Sequence, residues 1–269
     1  AAEAAVKAHS NRLSLRLTAL VFVLFTLPSR AAEVSAQEVA AKLDSLKDTI
    51  AAEVTARLST NMVHGSYTTV WRQFEDAAID ALWVVLPKHI AGLSERDFDR
   101  GTTGREKNRL ADLAIACGTN VVEISIKAAQ RSGNPENDMG TFRDYPNREK
   151  LFAASYTLWV RYESVGGNLR AERAFFDRTW RFVGKSSQMD SVKYRKKDGN
   201  MRPKPWTMFD SGQAYWKNEE AFKAAVRRAE TYRANELVKE YLMDLSEDDQ
   251  RVLHERLKEK FGSGLPPKP

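Results

Sequence analysis

TGREKNRLADLAIACGTNVVEISIKAAQRSG, Thr103–Gly133, joins a polar, basic start to a long run rich in apolar residues. Leu110, Leu113, Cys117, Val121 and Ile124 recur at intervals of three and four, the signature of a helix with one apolar stripe. Thr103 and Glu106 stand at capping-box spacing before that stripe. Gly133, followed by Asn134-Pro135, closes it with a turn signal. The spacing predicts a helix that starts at Thr103 and ends near Gly133.

Upstream, Tyr67–Ile90 carries Val70, Phe74, Ala78, Leu82, Val85 and Leu86 on one face, widened by Trp71 and Trp83. Pro87 is expected to kink or end it. Before that, Gln37–Leu58 places Val39, Leu43, Leu46, Ile50, Val54 and Leu58 on one stripe, with Ser35 and Glu38 at capping-box spacing. Downstream, residues 133–146 are polar and read as a loop. NREKLFAASYTLWVRYESV (147–165) reads as a fourth helix opened by Asp144 and Pro146. Gly166-Gly167 interrupts it, and Leu169–Val183 continues it.

Lys185–Gly212 differs in character. It is basic, holds two prolines and an Asp198-Gly199 turn, and reads as an extended arm. A helix over about Ala214–Leu245 follows. Ser246 and Asp249 then begin a last helix with Val252, Leu253, Leu257 and Phe261, stopped by Gly262. No repeat of fixed period is present. The expected fold class is all-α: an antiparallel bundle of about four helices, with a short apolar N-terminal segment, a basic extended arm and a C-terminal helical pair. The expected divisions are 1–36, 37–184, 185–213 and 214–269.

The 269 residues allow one large domain or two small ones. Six Trp, eight Tyr and twelve Phe argue against disorder. The net charge of +6 and pI near 9.3 suggest an acidic neighbour such as anionic lipid, nucleic acid or an acidic protein face. The single cysteine, Cys117, excludes an intrachain disulfide. On the apolar stripe it reads as a small buried hydrophobe.

The N-terminal residues are rich in Ala and Arg, as in organelle-imported chains. Leu17–Leu27 is uncharged and short against the roughly 20 residues of a membrane-spanning helix. Arg12, Arg16 and Arg30 flank it, and Val34-Ser35-Ala36 has the look of a cleavage site. The segment reads as an anchor or a targeting signal, with a buried core helix as a third reading. Leu17, Leu20, Val21, Phe22, Val23, Leu24, Phe25 and Leu27 are the candidate membrane-contacting residues.

No phosphate loop, dinucleotide Gly motif, nucleophile elbow or His-Glu-x-x-His is present. His9, His64, His89 and His254 lack ligand spacing, so no metal and no cofactor are expected. Asp97 and Asp99 read as a solvated loop. Glu163, Glu172 and Asp177 among Arg161, Arg170, Arg173 and Arg178 read as mixed-sign surface, each ion pair contributing little. Lys193, Arg195, Lys196, Lys197, Arg202 and Lys204 with Trp206 and Trp216 read as a partner-docking surface, aromatic anchors inside a charged rim. Single-stranded nucleic acid uses the same residue types. No RNA-binding signature accompanies them, which disfavours nucleic acid as the partner.

These features together suggest a non-catalytic accessory subunit of an organellar energy-transducing membrane complex, photosynthetic or respiratory. Its expected partners are neighbouring subunits and the membrane or anionic lipid. The lumenal side of the thylakoid is favoured over the mitochondrial inner membrane as its address. Two alternatives stand beside it: an enzyme whose site is assembled from scattered residues, and an organellar ribosomal or RNA-associated subunit.

Overall fold

The computed structural model describes residues 34–61, 67–100, 111–141, 149–150, 154–166 and 168–261. The apolar segment Leu17–Leu27, with its candidate membrane-contacting residues, lies outside them. Among the described residues three helices come first: α1 (Ala36–Ser45), α2 (Lys47–Asn61) and α3 (Tyr67–His89). Strands follow: β1 (Phe98–Arg100), β2 (Leu113–Cys117), β3 (Asn120–Gln130), β4 (Tyr156–Val165) and β5 (Asn168–Arg178). The short helices α4 (Thr179–Phe182) and α5 (Trp206–Asp210) lead to the C-terminal pair α6 (Glu219–Asp244) and α7 (Glu247–Phe261).

The all-α expectation is therefore corrected to α/β. The five strands form one mixed sheet in the order β1-β2-β3-β4-β5, antiparallel throughout except for the parallel β3–β4 pair. Thr103–Gly133 shows why the helical reading fails. Leu113, Cys117 and Ile124 satisfy a spacing of three or four, but Leu113, Ile115 and Cys117 also alternate, and so do Val122, Ile124, Ile126 and Ala128. Strand pairing selects the second pattern. Gly118 has φ 61°, a conformation open to glycine, and with Thr119 it turns Cys117 back onto Asn120. A helix would bury Val121; in the strand it is 57% exposed. The expected fourth helix is likewise two antiparallel strands, β4 and β5, joined at Gly166, whose φ is 58°.

Both faces of the sheet are covered, so β4 is buried continuously from Thr157 to Tyr162, as central strands with two covered faces are. One core joins Val39, Leu43, Ile50 and Val54 with Phe74, Leu82 and Leu86 and with Ile124, Ile126, Leu158 and Val160. Phe74 of α3 stacks on Tyr162 of β4 with ring centroids 4.2 Å apart. On the other face Trp159 and Phe175 meet Trp206, Phe209, Trp216, Phe222 and Val226. The arm is thus a layer of the protein's own second core rather than a free extension.

The helices close to expectation are those with local signals. Ser35 Oγ accepts the Glu38 amide at 3.1 Å and starts α1. The single helix expected over Gln37–Leu58 is two, divided at Leu46. Ser246 Oγ accepts the Asp249 amide at 3.2 Å and donates to its carboxylate at 2.6 Å, starting α7.

Candidate functional site

β3 outruns its neighbour. Its pairing with β2 ends at Leu113↔Ile124, while its pairing with β4 continues to Gln130↔Tyr162. Beyond Ile124 one edge of β3 is open, and buried backbone groups there need partners from elsewhere. Side chains supply them. Asp112, one residue before β2, accepts the Ile126 amide on Oδ2 at 2.6 Å. The same oxygen accepts Ser125 Oγ at 3.2 Å and faces Lys127 Nζ at 3.4 Å. Asn137 Nδ2 donates to the Ala128 carbonyl at 2.9 Å, and Trp206 Nε1 donates to that of Gln130 at 3.2 Å.

Glu75 of α3 completes this fork. It lies one position beyond the buried Phe74, and its Oε1 is shut off from solvent without a hydrogen-bond partner among the described residues. Burial pushes its carboxyl up to about 8, and the neighbouring Asp112 and Asp76 add to the rise. Lys127 and a hydrogen bond from the Ala128 amide oppose it. The result is a largely protonated carboxyl, a second carboxylate and an ammonium group gathered at one open strand edge. A perturbed carboxyl beside charged partners marks a candidate functional position.

None of Glu75, Asp112, Ser125 and Lys127 is among the residues singled out from sequence. Glu75 lies within the helix expected over Tyr67–Ile90 but off its apolar stripe, and Asp112 and Lys127 fell inside an expected helix that is replaced by strands. The one available signal was Lys127 in the alternating run VVEISIKAA, where a half-buried position of a strand carries a charge. Among the described residues no group of three or more His, Cys, Asp and Glu is gathered as a metal cluster. His89 is exposed at the end of α3. His9 and His64 lie outside the described residues. Cys117 is buried, on a strand.

The structure places the arm residues in three environments. Trp206 and Trp216 are buried in the second core. Lys204 is 3% exposed, its Nζ donating to the Gln213 carbonyl and lying over the rings of Phe182 and Phe209 at 5.2 and 5.1 Å. Burial lowers its pKa to about 8, and the nearby Arg181 adds to the fall against Asp177. Arg195 pairs with Asp198 and Asp138, and Arg202 with Asp138 at 2.7 Å. Lys196 pairs with Glu236 and Glu240 of α6. Lys193 and Lys197 are exposed.

Within the mixed-sign run Arg170 and Arg173 are exposed, as expected, but Arg161 differs. The Arg161 guanidinium is buried, 2.8 Å from Glu172 and 2.9 Å from Asp210, and it lies over the rings of Phe175 and Trp206. It fastens α5 to the sheet.

The reading as a non-catalytic accessory subunit of an organellar membrane complex is corrected by these findings. It drew on the apolar N-terminal segment, the basic balance and an extended arm, beside an expected helical bundle. The chain instead has a two-faced mixed sheet whose arm is folded into its own core. Among the described residues no helix is long and apolar enough to cross a membrane.

No family model and no curated protein matches this chain. Among solved structures it is similar to the NlaIV restriction endonuclease, with a TM-score of 0.42 and 14% identity over 77% of this chain and 80% of that one.

Proposed function

We propose that the chain is a hydrolase of phosphodiester bonds in nucleic acid, with Glu75, Asp112 and Lys127 as its working residues. The observation that carries this reading is the buried, unpartnered Oε1 of Glu75 beside Asp112 and Lys127 at the open edge of β3. A buried oxygen without a donor is costly unless something binds it. These residues fit a divalent cation. Mg2+ characteristically takes one or two carboxylates and fills its shell with water and substrate phosphate, and Glu75 and Asp112 are the two that would hold it. Such an ion polarises the phosphoryl group and lowers the pKa of a water it binds.

The chain's own groups do the rest. Glu75 would hold the cation as a carboxylate, its proton passing to solvent. Asp112 is oriented by the Ile126 amide and Ser125. Lys127, anchored by the Ile126 carbonyl at 3.0 Å, presents positive charge where a phosphate would gather negative charge. The basic balance of the chain favours a polyanionic substrate. Hydrolysis joins a water oxygen to phosphorus and breaks one phosphorus–ester bond, leaving a phosphate end and a hydroxyl end.

The test is cleavage of single- and double-stranded DNA and RNA by the purified chain with Mg2+ and with EDTA. Cleavage that needs Mg2+ and falls by at least about 100-fold in Glu75→Gln, Asp112→Asn and Lys127→Ala supports the reading. Cleavage equal in all four proteins, or none on any substrate, rejects it. An organellar address, read from the residues before Ala36, belongs to the same proposal. Localisation of the full chain carrying a C-terminal tag tests it.

A further inference from the structure

A cavity of about 550 Å³ lies between the arm and α6, sharing no residue with the fork of β3. Its walls include Lys185, Lys193 and Lys196, the rings of Tyr194 and Tyr232, and a single carboxylate, Glu236. Its volume suits a small molecule of nucleotide size.

The cavity is held open by pairings at both ends. Arg228 of α6 donates to the Asp190 carbonyl and lies 3.2 Å from its carboxylate, which also pairs with Lys185 at 2.8 Å. At the other end Arg233 donates to the carbonyls of Lys196 and Lys197 at 3.1 and 3.3 Å. Positions 228, 232 and 236 are four apart, so one face of α6 carries the first clamp, a tyrosine wall and the carboxylate. Walls fixed before a ligand arrives reduce the ordering that binding costs. Lys185 and Lys196 spend part of their charge on carboxylates, whereas Lys193 has no acidic partner among the described residues.

We propose that this cavity binds a phosphorylated nucleoside, its phosphate on Lys193 with Lys185 and Lys196 beside it, and its base against Tyr194 and Tyr232. Lysine is a strong phosphate binder as a point charge. Aromatic rings accept any base by stacking. The nucleotide has two sources, a free mononucleotide or one unit of a single strand. The site stands independently of the hydrolase reading.

Isothermal titration of the full chain tests it, using adenosine monophosphate, adenosine, inorganic phosphate and an eight-residue oligodeoxyadenylate. The monophosphate is expected to bind at least about tenfold more tightly than adenosine or phosphate alone. Lys193→Ala and Tyr232→Ala are each expected to weaken it about tenfold, with Glu75→Gln unchanged. An oligonucleotide bound tenfold more tightly than the monophosphate, and still sensitive to Lys193→Ala, assigns a strand as the source. Equal or weaker binding assigns the free nucleotide. The proposal is overturned if neither ligand binds, if phosphate alone binds as well, or if the two variants, shown folded by thermal melting, bind as the parent does.

Discussion

Asp112 Oδ2 lies 2.6 Å from the amide nitrogen of Ile126, so a carboxylate takes the place of the ladder partner that β2 no longer provides. The same oxygen meets Lys127, and the structural need of an open strand edge thereby creates a charged fork. Removing the side chain separates the two roles. Asp112→Ala leaves the Ile126 amide without its acceptor and is expected to cost about 1 kcal/mol in urea unfolding. Asp112→Asn keeps an acceptor and is expected to cost less, while the proposed hydrolase predicts loss of cleavage in both variants.

Glu75 gives the fork a pH signature. Its carboxyl is raised from 4.5 to about 8 in the folded protein. The folded state therefore holds this proton more tightly than the unfolded state does. That contribution to stability is fully present below pH about 4.5 and is lost as pH rises through about 8. Glu75→Gln keeps a neutral side chain at every pH. The melting temperature of the parent is expected to fall relative to Glu75→Gln across this window. Mg2+ is expected to restore it at pH 8 and to do little at pH 5, because the cation competes with the proton. Parallel pH profiles for the two proteins would falsify the assignment.

Arg161 is expected to be the costliest single charge to remove. Its side chain is 8% exposed between Glu172 and Asp210, and its guanidinium lies over the rings of Phe175 and Trp206. Arg161→Ala removes the buried partner that Glu172 and Asp210 share, leaving them the exposed Arg131 and Arg173, and is expected to cost about 2 kcal/mol in denaturant unfolding. Arg161→Lys restores the charge but not the planar fork, and is expected to recover only part of the loss.

The arm supplies a contrast between neighbours in sequence. Trp206 is buried against Trp159 and Phe209, with ring centroids 5.9 and 4.7 Å apart. Trp206→Ala is expected to destabilise the chain by about 3–5 kcal/mol. Lys197→Ala, at an exposed position of the same arm, is expected to stay within about 0.5 kcal/mol. Chemical denaturation of both reads the difference directly.

Val121 and Val122 test the strand itself. Val122 is buried in the first core and Val121 faces solvent. Val121→Lys is expected to leave the melting temperature nearly unchanged, and Val122→Lys to unfold the protein. Loss of folding in both variants would mean that the alternation of β3 is wrong.

Local order along the chain was enough to find helix where α1 and α2 stand, though as one element, and to place α3 and the C-terminal pair. A helix closes its hydrogen bonds within four residues, and Ser35 and Ser246 cap theirs with neighbours three residues on. The single buried cysteine was equally legible. The sheet was not, because Leu113, Cys117 and Ile124 fit a helical stripe and a strand face alike. What separated the two was pairing with distant residues, Ile124 beside Tyr156 and Tyr156 beside Arg178. The fork is further from sequence still. Glu75 comes from a helix, Asp112 from a loop and Lys127 from a strand, and no spacing rule joins them. Tertiary structure alone decided that site, since it arises where one strand outlasts its partner and side chains must complete the ladder.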